Sequence, residues 1–397
     1  MPANLTPEAK AKWQLAQTSK NPKEKVQAYA DFLAEISAHK GNERLRAQVK
    51  TKISELKQEI ITQRGKRGSG KSSWSLQREG AAQVMVVGLT KTGKSSLLKS
   101  LTNAQVTVAP YEYTTQRPIP GILQFKDIQI QLVELPAPRL ARSRRYEFQP
   151  ESIDLIHRCD GLIVLVDLTN DPYRQLESIT MSLEEADISI QKPLSRVEIV
   201  RPKGSGEVRI ATTSTQSSVS HERIREMLHS YGIGNALVRI YGSASIDDVE
   251  DAVLENVTLY KPTLLVGNKI DLDSGREVSS RFIGNVPVFL PTALTSCLTG
   301  QGLTTIGAKL FESLEIIRVY TKEPNNSKPS DHPFVVRAGT TVRELASSIH
   351  SNLAERYRYS RRYRYSRIWG STSKFAGERV GPEHVLGDQD IVEIHTT

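Results

Sequence analysis

Apolar residues recur every three or four positions along the first sixty residues. Val26, Tyr29, Leu33 and Ile36 form one stripe, and Asn21 followed by Pro22 reads as its N-cap and first helical position. After the Lys40-Gly41 break, Leu45, Val49, Ile53, Leu56 and Ile60 repeat the pattern. The spacing predicts a helical hairpin over residues 1–63, with Arg44, Arg46, Lys50, Lys52 and Lys57 off the apolar stripe. A Gly/Ser/Lys-rich basic linker, 64–80, follows. From Gln83 the pattern changes. Residues 84–87 are a short apolar run of strand length. Ile128, Ile130 and Leu132 alternate beyond a polar Lys126-Asp127 turn, which predicts an antiparallel hairpin over 121–135. The runs 162–166 and 264–266 are continuously apolar, as parallel strands buried on both faces are. An α/β domain over 81–318 is the expectation.

Roughly ninety residues separate those last two strands, too many for one crossover. Residues 172–260 are therefore read as an inserted α+β subdomain. In it, 197–200 and 208–210 flank Gly204-Ser205-Gly206 as a hairpin. Ser220 caps a helix carrying Ile224, Leu228 and Tyr231 that stops at Gly232. Residues 236–240 read as a strand, and Ser245-Ile246-Asp247-Asp248 opens another helix. Past Tyr320 a polar TKEPNNSKPS leads to a small β-and-helix domain over 319–397. Its strands are 334–336 and 390–394, and Thr341-Val342-Arg343-Glu344 is a capping box.

The 397 residues make two to three domains, and 38% hydrophobic content supports a sizeable core. No apolar run approaches the ~20 residues of a membrane span, so no membrane association is expected. The opening MPANLTPEAK is too polar for a secretory leader. Two cysteines, Cys159 and Cys297, exclude a disulfide framework and a Cys-rich zinc site, and fit a cytoplasmic location. Lys and Arg number 53 against 44 Asp and Glu, a net +9 that points to a polyanion such as RNA. DNA is not expected.

The pattern GxxxxGK[ST] occurs twice. The match at 65–72 has no strand before it and reads as linker composition. The second, Gly88-Leu89-Thr90-Lys91-Thr92-Gly93-Lys94-Ser95, directly follows the 84–87 strand and precedes the helix-compatible Ser96-Leu97-Leu98. There the glycines let successive N–H groups turn inward as an anion nest, and the helix N-terminus adds a positive dipole end. Lys94 would reach the β/γ-phosphates and the Ser95 hydroxyl would ligate Mg²⁺. The base is read elsewhere. Asn268-Lys269-Ile270-Asp271 ends the 264–266 strand, where an open parallel sheet presents its ligand loops. The Asp271 carboxylate would accept from guanine N1–H and the exocyclic amine, with Asn268 on the Hoogsteen side and Lys269 along the ring. Ser296-Cys297-Leu298 would place a backbone N–H near guanine O6; Cys297 is read as inert, having no histidine beside it.

In order, GLTKTGKSS, YEYTT at 111–115, NKID at 268–271 and SCLTGQGL at 296–303 resemble the DRG (developmentally regulated GTP-binding) branch of the Obg family of P-loop GTPases. The tail, with IRVYTKEP, RIWGS at 367–371 and RVGPEHVLGDQDIVEIH at 379–395, resembles a TGS domain. The N-terminal HKGNERLRAQVKTKI and the insert resemble the same family. The resemblance implies a Ras-like P-loop core with an N-terminal helical hairpin, an inserted subdomain and a β-grasp TGS domain. It implies GTP/GDP with Mg²⁺ as cofactors, ribosome or ribosomal RNA as partner, and a protein partner through the TGS domain. It also makes Thr115 the switch threonine, a ligand of Mg²⁺ that senses the γ-phosphate and joins Lys94 in catalysis.

Three departures stand out. Where the family reads DxPG at switch II, this chain has Glu134-Leu135-Pro136-Ala137. Glu134 is a methylene longer than Asp, and Ala137 before Pro138 is biased to extended backbone. The expectation is a GTPase slowed at γ-phosphate sensing; the competing reading is a non-hydrolysing, GTP-bound RNA-binding scaffold. Lys91 stands where relatives often carry Asn or Ser at a monovalent-cation position, and its ammonium either replaces that cation or faces solvent. Finally, RYRYSR is duplicated at 356–361 and 362–367. Arg356, Arg358, Arg361, Arg362, Arg364 and Arg367, interleaved with tyrosines, are candidate RNA contacts, against a surface helix as the plainer reading.

Overall fold

The computed structural model of this chain describes residues 6–19, 22–36, 42–68, 74, 76–102, 104, 116–141, 144–193, 195–201, 206–212, 219–254, 258–273, 277–324, 326, 328–354 and 363–396. Three helices come first, α1 (Pro7–Thr18), α2 (Pro22–Glu35) and α3 (Glu43–Gly68). Next are β1 (Ala82–Val87), α4 (Lys94–Leu101), β2 (Ile119–Phe125), β3 (Ile128–Glu134), β4 (Arg139–Leu140) and β5 (Tyr146–Glu147). They lead to α5 (Pro150–Arg158), β6 (Gly161–Asp167), α6 (Pro172–Glu184), β7 (Ile188–Ser189), β8 (Ser195–Val200) and β9 (Arg209–Thr212). The chain continues with α7 (His221–Ser230), β10 (Leu237–Gly242), α8 (Ile246–Leu254), β11 (Leu259–Tyr260), β12 (Thr263–Asn268), α9 (Glu277–Asn285) and β13 (Thr292–Leu294). It ends with α10 (Leu303–Ser313), β14 (Ile316–Lys322), β15 (Phe334–Arg337), α11 (Val342–Ala354), β16 (Tyr363–Trp369), β17 (Glu378–Val380) and β18 (Asp390–Thr396).

Two compact units result, one from residues 76–191 with 260–397, the other from 1–75 with 192–259. The first holds a six-stranded sheet ordered β13-β12-β6-β1-β3-β2. All neighbours are parallel except β2, which returns antiparallel along β3 through the Lys126-Asp127 turn. The continuous apolar runs are central: every residue of β1, β6 and β12 is buried. This is the α/β, Ras-like P-loop fold expected from the sequence, and it leaves the carboxyl ends of β1, β6, β12 and β13 on one edge. The same unit carries a five-stranded sheet, β15-β14-β18-β16-β17, with Val342 and Leu345 of α11 buried against Val319, Ile368 and Val392. Glu344 accepts from the Thr341 N–H at 2.8 Å, completing the predicted capping box. From Tyr363 on, the second copy of RYRYSR is strand β16, not a surface helix. The pairing partners β17 and β18 on either side supply the ladder bonds that impose it.

In the other unit the N-terminal segment has three helices where the stripes predict two. Helix α1 begins at Thr6, whose side chain accepts from the Ala9 N–H, and Pro7 fills the first turn. Its buried residues are small, Ala9 and Ala16, so the apolar period is faint; Trp13 supplies the bulk, 4.9 Å from the Phe32 ring. The predicted N-cap Asn21 lies outside the described residues. Helix α3 runs on to Gly68, through the first residues assigned to the linker, so the match at 65–72 begins as helix rather than as a phosphate loop. Arg46 is no solvated base: it donates to the Leu33 and Ile36 carbonyls at the end of α2. Lys50 pairs with Glu250 at 2.5 Å, and the Ser54 hydroxyl donates to the Leu254 carbonyl, which joins these helices to the insert in one unit.

The insert differs from expectation in two respects. Its unit starts at Lys192, later than the expected Pro172, because α6 lies with β6 in the first unit. Its strands 197–200 and 208–210 do not form a hairpin. Strand β10 lies between them, antiparallel to β8 and parallel to β9, since Val238 and Ile240 supply the fully buried centre of the layer.

Candidate functional site

The loop after β1 is held from below by close backbone approach. A Cβ on Gly88 would stand 2.6 Å from the Leu165 carbonyl oxygen of β6, so only glycine lets the chain leave the sheet here. Gly93 adopts φ +95°, and a Cβ there would come within 2.3 Å of Asn268 Nδ2. That glycine caps α4 without any side-chain bond, leaving the first N–H groups of the helix for an anion. Thr92 is buried, its hydroxyl donating to the Leu89 carbonyl at 3.1 Å, and Leu89 and Thr90 are half-buried. Lys91 is exposed at φ +63°, and Ser96 sits in the first turn of α4.

Lys94 is 7% exposed and its Nζ donates to the Gly88 and Leu89 carbonyls at 2.9 and 2.8 Å, folded back on its own loop. Burial pushes it down to about 8, with the Glu134 charge opposing. A cation so deprived of counter-charge fits a phosphate group. In the unfolded chain lysine keeps its proton to about pH 10.4, so between about pH 8 and 10 the unfolded state binds more protons. Stability of the nucleotide-free protein is therefore expected to rise with pH across that window, and nucleotide affinity to fall. Thermal melts from pH 7 to 10 check this; the rise should vanish in Lys94→Met.

The Ser95 hydroxyl donates to Glu134 Oε1 at 2.7 Å, so the loop serine and the carboxylate expected at switch II meet directly. Glu134 is 1% exposed at the end of β3. Beyond it the Leu135 N–H donates to the Val86 carbonyl at 3.1 Å, Pro136 and Ala137 are buried, and β4 and β5 pair as a short hairpin. The segment after Glu134 is thus packed against β1. Hydroxyl and carboxylate oxygens are hard donors that suit Mg²⁺. Thr115, the other expected metal ligand, lies outside the described residues, as does the rest of 105–115. Among the described residues, no group of three or more His, Cys, Asp or Glu side chains is placed to hold a metal ion.

At the same edge, β12 ends in Asn268, which is 2% exposed. Its Nδ2 donates to the Thr92 carbonyl at 2.9 Å and its Oδ1 accepts from the Cys297 N–H at 3.2 Å. Asn268 is thus a tie between the phosphate loop and the 296–298 loop, with one amide hydrogen left for a base. Lys269, at φ +70°, pairs with Asp167 Oδ2 at 2.5 Å. Asp167, which sequence reasoning missed, closes the apolar run of β6 as NKID closes that of β12. Asp271 is half-buried in the 3₁₀ turn Ile270–Leu272, and no described side chain donates to its carboxylate. Ser296 is buried and its Oγ accepts from the Thr299 N–H at 3.1 Å, while Leu298 is exposed. Burial pushes the Cys297 thiol up to about 11, assisted by the nearby Asp271 charge and opposed by its bond to Asn268, which suits an inert thiol. The structure therefore brings 88–96, 268–271 and 296–298 together with Glu134. Of the arginine candidates, Arg356, Arg358, Arg361 and Arg362 lie outside the described residues, Arg364 is on β16, and Arg367 is exposed on the same strand.

Comparison with known families finds a model described as "50S ribosome-binding GTPase" over residues 83–198. One described as "C-terminal region of MMR_HSR1 domain" matches 205–316, and one described as "TGS domain" matches 317–396. Ribosome-interacting GTPase 1 of Saccharomyces cerevisiae is 27% identical over 376 residues, covering 94% of this chain and 98% of that protein. Developmentally-regulated GTP-binding protein 1 of Xenopus laevis is 28% identical over 348 residues, covering 87% and 91%. Among solved structures, a GTP binding protein from Pyrococcus horikoshii OT3 shares 17% identity at a TM-score of 0.44, over 79% of this chain and 100% of that one.

Proposed function

We propose that this chain, which belongs to the DRG type of P-loop GTPases with a C-terminal TGS domain, acts on the ribosome as a guanine-nucleotide-dependent factor in the cytoplasm. One observation carries the nucleotide site: Asn268 binds the phosphate loop at Thr92 and the 296–298 loop at Cys297, so phosphate cradle and base-reading loops form one piece. Lys94 would exchange its two loop carbonyls for phosphate oxygens, and Asp271 would accept from the guanine edge. Ser95 and Thr115 would hold Mg²⁺, which supplies charge neutralisation at the phosphates when bound. The relative named for ribosome interaction and the family model described by ribosome binding support the partner. Calorimetric titration with GTP, GDP and ATP tests the site; sedimentation with ribosomal subunits in GTP, GDP and no nucleotide tests the partner. Equal affinity for ATP overturns the first assignment, and absence from the ribosomal pellet in every nucleotide overturns the second.

Turnover is proposed to be slow rather than absent, since the comparisons favour a GTPase over the non-hydrolysing scaffold. The buried Glu134 and the packed Ala137 restrain the segment that must meet the γ-phosphate. The double substitution Glu134→Asp with Ala137→Gly is expected to raise single-turnover GTP hydrolysis about tenfold, ~1.4 kcal/mol of barrier. GTP affinity should stay near that of the wild type. Unchanged turnover would place the slow step elsewhere.

A further inference from the structure

The duplicated RYRYSR is not absorbed by the nucleotide site, and the structure changes what its second copy means. As strand β16 it alternates faces. Ser366 and Ile368 are fully buried on the side packed with α11, so Tyr365, Arg367 and Trp369 share the opposite face. On β17, Arg379 stands directly across from Arg367 in the antiparallel register. Both guanidinium-bearing residues are exposed. Like charges directly opposite one another destabilise a sheet, and neither arginine forms an ion pair with a described carboxylate. The acid across from Arg367 on the other side, Glu393, is 5% exposed and is engaged by Lys322 at 3.2 Å and His395 at 2.5 Å.

Arg379 is also held in place. Arg379 lies 4.2 Å from the centre of the Tyr365 ring, and His395 stacks on that ring at 4.3 Å. The strands thus set two exposed forked donors side by side with no described carboxylate paired to either. Just beyond, the turn joining β16 to β17 leaves Phe375 65% exposed beside an exposed Lys374. Paired cations on a rigid sheet next to an unburied aromatic ring match the backbone phosphates and unstacked bases of a single-stranded nucleic acid.

We propose that Arg367 and Arg379 form a phosphate-binding pair for single-stranded RNA on the face of the C-terminal sheet away from α11, with Phe375 as an adjacent stacking ring. This deepens the ribosome reading and rests on it for the choice of RNA. Each arginine replaces a counterion on one phosphate, so the pair makes binding salt-dependent and indifferent to base sequence. The strand register, rather than arginine content alone, selects these two residues from the tract.

The test uses the full chain and a fluorescent poly(U) RNA of about 20 nucleotides, with affinity measured across a salt series. Arg367→Gln with Arg379→Gln is expected to bind about tenfold more weakly, with the log–log salt slope smaller by ~1.4. Arg174→Gln with Arg225→Gln removes the same charge from exposed helix positions and should change affinity less than twofold. Phe375→Ala should weaken binding without altering the slope. Unaltered GTP affinity in each variant verifies the fold. If the β16/β17 double variant behaves like the helix control, the proposal falls. Sedimentation of the wild type with ribosomal subunits separates the two failures: pelleting with an unaffected double variant sinks the phosphate pair alone, whereas no wild-type pelleting sinks the ribosome reading.

Discussion

Asp271→Asn is expected to lower GTP affinity about a thousandfold while leaving the fold intact. The carboxylate offers two acceptors to a base edge that presents two donors, and hydrogen bonds to a charged group contribute ~2 kcal/mol each, ~4 kcal/mol together. An asparagine keeps one acceptor and turns the other into a donor, which faces the exocyclic amine of guanine donor to donor. The same amide complements a base carrying a carbonyl at that position, so xanthosine triphosphate should gain what GTP loses. Asp271 is half-buried in a short turn and no described side chain donates to it, so the substitution leaves nothing else stranded. Calorimetry with GTP, xanthosine triphosphate and ATP reads the outcome. A GTP affinity within tenfold of the wild type would remove Asp271 from the base site and with it the guanine assignment.

The parts of this site that could be read from the sequence are those whose neighbours along the chain suffice. A strand, a glycine loop and a helix start are contiguous at 84–97, and NKID abuts its own strand. What escaped depended on distant partners. The tie through Asn268 joins residues far apart in sequence, whereas the motif by itself points the amide at the base. Strand β10 entered between β8 and β9 because pairing is decided by which strand is apolar enough to be central, not by which is next. Helix α1 hid behind alanines, whose burial leaves little periodic signal. The plainer reading of the arginine-rich repeat is a surface helix, yet adjacent strands satisfy the backbone of its second copy from Tyr363 on. Glu134 and Ala137 stand out in the sequence as departures from the expected motif; the direct Ser95–Glu134 contact does not.

Arg318 was invisible for the same reason, and its replacement should produce the largest loss of stability in the C-terminal part of the chain. Its side chain is 3% exposed. Nη1 donates to Asp127 Oδ1 at 2.7 Å, while Nη2 and Nε donate to the two oxygens of Asp388 at 2.7 and 3.1 Å. The Tyr320 hydroxyl also donates to Asp127, and the guanidinium lies 5.5 Å from the Phe311 ring. Asp127 is at the tip of the β2–β3 turn, so one cation joins the hairpin of the six-stranded sheet to the first strand of the C-terminal sheet. Burial pushes both carboxyls up, but the bonds from Tyr320 and Arg318 to Asp127, and from Arg318 to Asp388, outweigh it and hold both below the usual range. Carboxylates depressed in the folded state add stability above their unfolded value near pH 3.9, lost as pH falls through the folded values. Arg318→Met would leave both carboxylates without their cation. Breaking a buried pair removes about 3 kcal/mol, the lower end of the range because the two acids are partly exposed. The expected fall in melting temperature at pH 7 is ~10 °C, shrinking at pH 3, below the unfolded carboxyl value, as the contribution of the depressed acids is lost. Adding Asp127→Asn and Asp388→Asn should recover much of the loss, since no charge then remains stranded. Calorimetric unfolding at both pH values checks each step. An Arg318→Met variant melting within a few degrees of the wild type at pH 7 would show that packing around Phe311, not the charge pairing, holds this junction.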